Sequence, residues 1–292
     1  MTPSRSRAQH DALAGTGFIL LGSIFIQWSA ALVTPVFHLV GPSGSSAWRF
    51  LLGALVLVAA TRPSFRSWTL HQWLGPLALG LSVAFMNQCF YQAIARIPLG
   101  SAVAIEYLGP FLVAALGKRS WRHLSFVLLA GVGVVALARP GGGVTIVGML
   151  FAMGSGAGWA AYVFSSHRVG GTTTGFGGLA VSMSVAAVLT APWSLGSAHV
   201  LIGHPYLAGR LLFVAVLAIV LGFGAELQAL RRVKPSIVSV LLALDPAVAF
   251  AVGWLLMGQR ITPWDGIGLV CVVIAGFGVT YGVTTADLGV PL

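Results

Sequence analysis

A chain of 292 residues that is 57% hydrophobic and only 8% charged is excluded from the ordinary soluble domains, in which about a quarter of residues are charged. The formal charge of +10 argues for no nucleic-acid partner, because Lys and Arg stand as ones, twos and threes in connecting stretches rather than in one patch. Apolar runs long enough to cross a hydrocarbon core of roughly 30 Å recur along the whole chain, and the alternation of a membrane barrel is absent, so the expected class is an all-α polytopic membrane protein.

The first expected span begins near Ala14, after the basic start MTPSRSRAQH. That start has the charge of a secretory signal, but its apolar run is too long, and too many others follow, for cleavage. Further spans begin near Ser45, Trp73, Pro98, Leu124, Val144, Thr173, Leu207, Pro235 and Thr262, each of about 16 to 24 residues. The longest connection is WSLGSAHVLIGHPY, from Trp193 to Tyr206, and no soluble domain fits anywhere. With ten spans, one side holds Arg5, Arg7, Arg62, Arg66, Lys118, Arg119, Arg122, Arg168, Arg231, Arg232 and Lys234, and the other only Arg96, Arg139, Arg210 and Arg260. Basic loops stay in the cytoplasm, so both termini are expected there.

The two halves, 14–139 and 144–284, resemble each other. GSIFIQWSAALV with Trp28 matches GSGAGWAAYVFS with Trp159. CFYQAIARIPLGSAVAIEYLGP matches FGAELQALRRVKPSIVSVLLALDP, and LLAGVGVV matches VVIAGFGV, in the same order. Two copies of five helices have opposite orientation, and inverted repeats of this kind recur in secondary transporters, with substrate held near the bilayer midplane between the copies.

Four ionisable residues fall inside spans: Arg49, Glu106, Glu226 and Asp245. Charge in a bilayer is costly, about 2.5 to 3.5 kcal/mol on insertion scales, and faces protein or water with a partner. Arg49 either snorkels to the interface or holds a substrate carboxylate. Glu106 is deep enough to pair with Arg49 if their helices touch, or to serve the solute. Glu226 lies about a turn from the basic sequence RRVK, which favours surface pairing. Asp245 has no basic residue expected at its depth, which favours function, and Pro246 after it removes a backbone donor and opens the helix. Pro110, four residues after Glu106, repeats that geometry.

Trp28, Tyr91, Tyr107, Trp159 and Tyr162 either line a cavity, stacking on a solute or meeting an ammonium group, or pack and anchor as aromatic residues commonly do. Cys89 and Cys271 stand singly, the histidines fall in loops or span ends, and no serine sits in a GxSxG elbow. No disulfide, metal, cofactor or catalytic set is therefore expected. GFGGLA at Gly175 to Ala180 lacks the preceding strand of a dinucleotide site and reads as packing glycines.

AWRFLLGALVLVAA, YQAIARIPLGSAVAIEYLGPFLVAAL, GAGWAAYVFSSHRVG and ELQALRRVKPSIVSVLLALDPAVAFAVGWLLMGQRITPWDGIG resemble the EamA branch of the drug/metabolite transporter superfamily, most of all its threonine/homoserine-type exporters and next its aromatic amino-acid exporters. The resemblance implies a ten-helix inner-membrane carrier of two inverted repeats around a central cavity, with Arg49, Glu106, Glu226 and Asp245 on its polar positions. Asp245 stands where a glutamate is common. The expected function is export of neutral amino acids or related small metabolites by alternating access. Arg49 attracts the carboxylate in that reading, and Glu106 or Asp245 meets the ammonium or carries a coupling proton. A multidrug or other metabolite carrier is the alternative, followed by a channel or lipid flippase-like protein, with a membrane enzyme last. The sequence is compatible with a monomer and leaves oligomeric state and coupling ion open.

Overall fold

The computed structural model describes residues 3–63, 68–109, 121–137, 143–172, 176–230 and 241–287. Among these residues the chain is helical and contains no strand. Without water to satisfy N–H and C=O groups, a backbone this apolar closes its hydrogen bonds within helices.

The helices in chain order are α1 (Pro3–Val33), α2 (Pro42–Thr61), α3 (Leu70–Ile94), α4 (Leu99–Glu106), α5 (Trp121–Leu137), α6 (Ile146–Thr172), α7 (Gly177–Gly196), α8 (Pro205–Ala215), α9 (Phe223–Leu230), α10 (Asp245–Met257) and α11 (Pro263–Asp287). Beyond α1 a 3-10 turn (Thr34–Val36) and a short helix (Phe37–Val40) lead to Gly41, at φ +77°, which turns the chain into Pro42, whose fixed φ suits the first turn of α2. Thr69 and Gln72 cap α3 reciprocally. A π-helical segment, Val216–Gly222, joins α8 to α9. The expected loop from Trp193 to Tyr206 is mostly helix: α7 runs to Gly196 and a short helix spans Ala198–Gly203.

Five stretches are long and apolar enough to cross a membrane: Ala14–Val40, Pro42–Thr61, Gln72–Ile94, Gly177–Gly196 and Pro205–Ala229. Shorter apolar helices are Leu124–Leu137, Ile146–Tyr162, Asp245–Met257 and Pro263–Gly278. Exposed Leu81, Val135, Val188 and Leu255 present an apolar exterior. Pro110, Lys118, Arg119 and the RRVK sequence lie outside the described residues.

In lipid no hydrophobic drive brings helices together, so close packing of small residues must. The most extensive pairings are α3 with α6, α2 with α7, α5 with α11, and α1 with the stretch from α8 to α9; α4 packs on α10 and α6. Gly109, just beyond α4, lies so close to Gly156 of α6 that a Cβ on Gly109 would strike the Gly156 backbone, while Gly158 lies against the Met86 backbone of α3. Backbone cannot give way as a side chain can. Gly156→Ala is therefore expected to destabilise the protein by about 1–3 kcal/mol, whereas Gly131→Ala, with open space around it, costs nothing. Thermal unfolding of the two variants in detergent checks the contrast.

Candidate functional site

Two buried polar clusters meet on α3. The first surrounds Arg49, which is only 2% exposed on α2. Its Nη2 donates to Oδ1 of Asn87, and its guanidinium carbon lies 4.8 Å from the centre of the Tyr91 ring. Asn87 is itself held by donating to the Val83 carbonyl. Among the described residues, Arg49 Nε, Ser46 Oγ and Gln88 Oε1 are buried without a hydrogen-bond partner. Unmade bonds of that kind cost roughly 1–3 kcal/mol each.

The second cluster is acidic. Helix α4 ends at Glu106, and its carboxylate meets the Ser155 hydroxyl of α6. Residues 241–242 are helical, 243–244 form a turn, and helix resumes at Asp245, so the interruption expected beside Pro246 is present. Asp245 thereby sits in the first turn of α10, where the helix dipole favours a negative charge. Its Oδ2 accepts from the Tyr107 hydroxyl at 2.6 Å. The Trp159 ring stands edge-on to Tyr107, with centroids 4.3 Å apart. Glu226 on α9 packs near Gly22 of α1, and Asp245 lies within electrostatic reach of both Glu226 and Glu106. Among the described residues no ion pair within 4.0 Å joins a basic side chain to any of these three acids.

Met86 and Asn87, consecutive on α3, connect the clusters: the Met86 carbonyl lies 2.9 Å from Ser155 Oγ, and Asn87 holds Arg49. Ser155 has one hydroxyl proton and two neighbouring acceptors, Met86 O and Glu106 Oε1. All three groups are satisfied when Glu106 carries a proton and donates it to Ser155.

Residues 146–281 match the EamA-like transporter family. The chain is 32% identical over 265 residues to the threonine/homoserine exporter RhtA of Escherichia coli (strain K12), covering 90% of each protein. The chain belongs to the EamA-like transporter family. Within the drug/metabolite transporter superfamily it is thus a multi-pass inner-membrane transporter. RhtA of Salmonella typhimurium (strain LT2) is similar at 32% identity, and the uncharacterized transporter YwfM of Bacillus subtilis (strain 168) at 25% over 86% of this chain and 89% of its own. A protein of known crystal structure shares the fold, with a TM-score of 0.56 at 17% identity over 91% of this chain and 98% of its own.

In this EamA transporter the Arg49–Glu106 pair, one of the two alternatives for Glu106, does not form: Arg49 turns to Asn87 and Tyr91, and Glu106 to Ser155. Among the other expected residues, Tyr91 and Trp159 belong to the clusters, and Tyr162 lies against Phe223 near Glu226. Trp28 is 44% exposed and takes no part in either cluster. Sequence reasoning missed Asn87 and Ser155, whose one legible signal is a small polar side chain in an apolar helix. Removing the Asn87 acceptor strands a buried guanidinium, so Asn87→Leu is expected to cost about 1.5–3 kcal/mol, with much of that loss recovered in Arg49→Leu/Asn87→Leu. A double-mutant cycle of thermal midpoints reads the coupling.

Proposed function

We propose that this transporter exports neutral amino acids of the threonine/homoserine kind, or related small metabolites, by alternating access between two inverted five-helix repeats, 14–139 and 144–284. The observation that carries the reading is the pairing of opposite poles on either side of Met86 and Asn87 of α3: among the described residues, buried Arg49 has no acid partner, and buried Glu106 and Asp245, with half-buried Glu226 nearby, have no basic one. Arg49 takes the substrate carboxylate, and Asp245, set by Tyr107, meets the ammonium group. The similarity to threonine/homoserine exporters supports the substrate class.

The helix pairings support the repeat. If α1 to α5 are exchanged with α6, α7, the α8–α9 stretch, α10 and α11, the pairs α2/α7, α4/α10 and α5/α11 map onto themselves, and α1/α8–α9 maps onto α3/α6. A two-fold arrangement has this property. The interruption at Asp245 supports binding there, since broken helices carry substrate and ion sites in transporters of inverted-repeat design. The distribution of Lys and Arg supports ten spans with both termini in the cytoplasm.

Glu106 is the proton carrier in this reading, because a proton there completes the Ser155 bonds. Protons enter as solute leaves, so a membrane that is acidic outside accelerates export. Counterflow into proteoliposomes loaded with a panel of amino acids tests the substrate: threonine and homoserine are expected to exchange, and a panel with no active member removes the reading. Arg49→Lys, which cannot offer the planar fork, is expected to raise the half-saturating concentration about tenfold, equivalent to about 1.4 kcal/mol. Glu106→Gln is expected to make export indifferent to an imposed pH gradient that drives the parent protein.

A multidrug carrier is the second reading, favoured by the Trp159 ring beside Tyr107 and Asp245, whose face would stabilise a hydrophobic cation. Competition by hydrophobic cations in place of amino acids distinguishes it.

A further inference from the structure

A separate cavity of about 590 Å³ lies where the chain turns from α1 into α2. Its wall includes Leu39, Gly41, Ser43 and Gly44 from that turn, Gln92 from the end of α3, and Trp193, Ser197 and His199 from the end of α7 and beyond. The volume falls within the roughly 300–1,000 Å³ of small-molecule sites.

Its polar groups form a directed chain. Arg96 Nη1 donates to Gln92 Oε1 at 2.5 Å, and Gln92 Nε2 donates to Ser43 Oγ at 2.8 Å. Ser43 accepts that bond, and its own proton is given to no group among the described residues. Each bond in such a chain polarises the next, so the terminal hydroxyl is a strengthened donor backed by a guanidinium. Ser43 is among the residues that line the cavity, which makes this hydroxyl available to a solute there. Gln88 reinforces the same wall by donating to the Ser43 carbonyl. Arg49 follows Ser43 by six residues of α2, about 9 Å along the helix.

We propose that this cavity is an outer carboxylate subsite, in which a small carboxylate-bearing solute accepts a hydrogen bond from Ser43 after leaving Arg49. Ser43 is the binding residue, and Gln92 and Arg96 are positioning residues that act through it. The placement on the outer face rests on the topology proposed above, whereas the preference for a carboxylate rests on the donor chain alone.

The test uses the full-length protein with Cys89→Ala and Cys271→Ala, and a reporter at Leu39→Cys, an exposed cavity residue outside the donor chain. A membrane-impermeant thiol reagent added from outside is expected to label it. Threonine and lactate are expected to slow labelling at least threefold, and threoninamide, which lacks the carboxylate, is expected not to. Ser43→Ala is expected to abolish the protection and Ser43→Thr to retain it. Labelling from the inner side only, protection by neither carboxylate, equal protection by threoninamide, or protection that survives Ser43→Ala overturns the proposal. Lactate separates the outcomes: if no amino acid exchanges in counterflow but lactate still protects, the amino-acid reading fails while the carboxylate subsite stands.

Discussion

The contact on which the site depends is the meeting of bare backbone at Gly109, Gly156 and Gly158, where a stretch just beyond α4, helix α6 and helix α3 come together without side chains between them. Only at that separation does Ser155, next to Gly156, reach both the Met86 carbonyl and the Glu106 carboxylate. In a bilayer the alternative for each group is hydrocarbon, so the packing and the polar contacts require each other. A methyl group between the helices would separate an acid from the hydroxyl that satisfies it.

The division of charge follows from the same geometry. Helix α3 is packed along α6 on one side and reaches α2 through Asn87, so its consecutive residues Met86 and Asn87 serve opposite poles. Among the described residues a site of this kind holds its arginine and its acids by neutral partners, with no ion pair between them. In the proposed reading a zwitterion is the solute that satisfies both poles, and the separation of Arg49 from the acids leaves room for it.

Much of this was legible in the sequence because lipid makes charge conspicuous. Arg49, Glu106 and Asp245 stand out in apolar runs, and Pro246 marked the break at Asp245 without any structure. What was not legible is partnership. Depth along a helix places Arg49 and Glu106 near each other, but depth carries no azimuth, and the helices direct one to Asn87 and the other to Ser155. Serine and asparagine give no comparable signal, since both are tolerated in apolar helices that need no site. Trp28 and Trp159 match in chain position but differ in surroundings: the Trp159 ring meets Tyr107, whereas Trp28 is 44% exposed.

The π-helical segment Val216–Gly222 bears on how Glu226 comes to point where it does. A π turn holds one more residue than an α turn, and one residue of an α-helix corresponds to about 100° of rotation. Everything beyond the segment is therefore phased differently from the helix before it. Glu226, four residues past its end, meets Gly22 of α1 and the neighbourhood of Asp245 because of that phase. The wide turn is a fixed rotation built into one helix, which lets the face that packs at Pro205–Ala215 differ from the face that carries an acid at Phe223–Leu230.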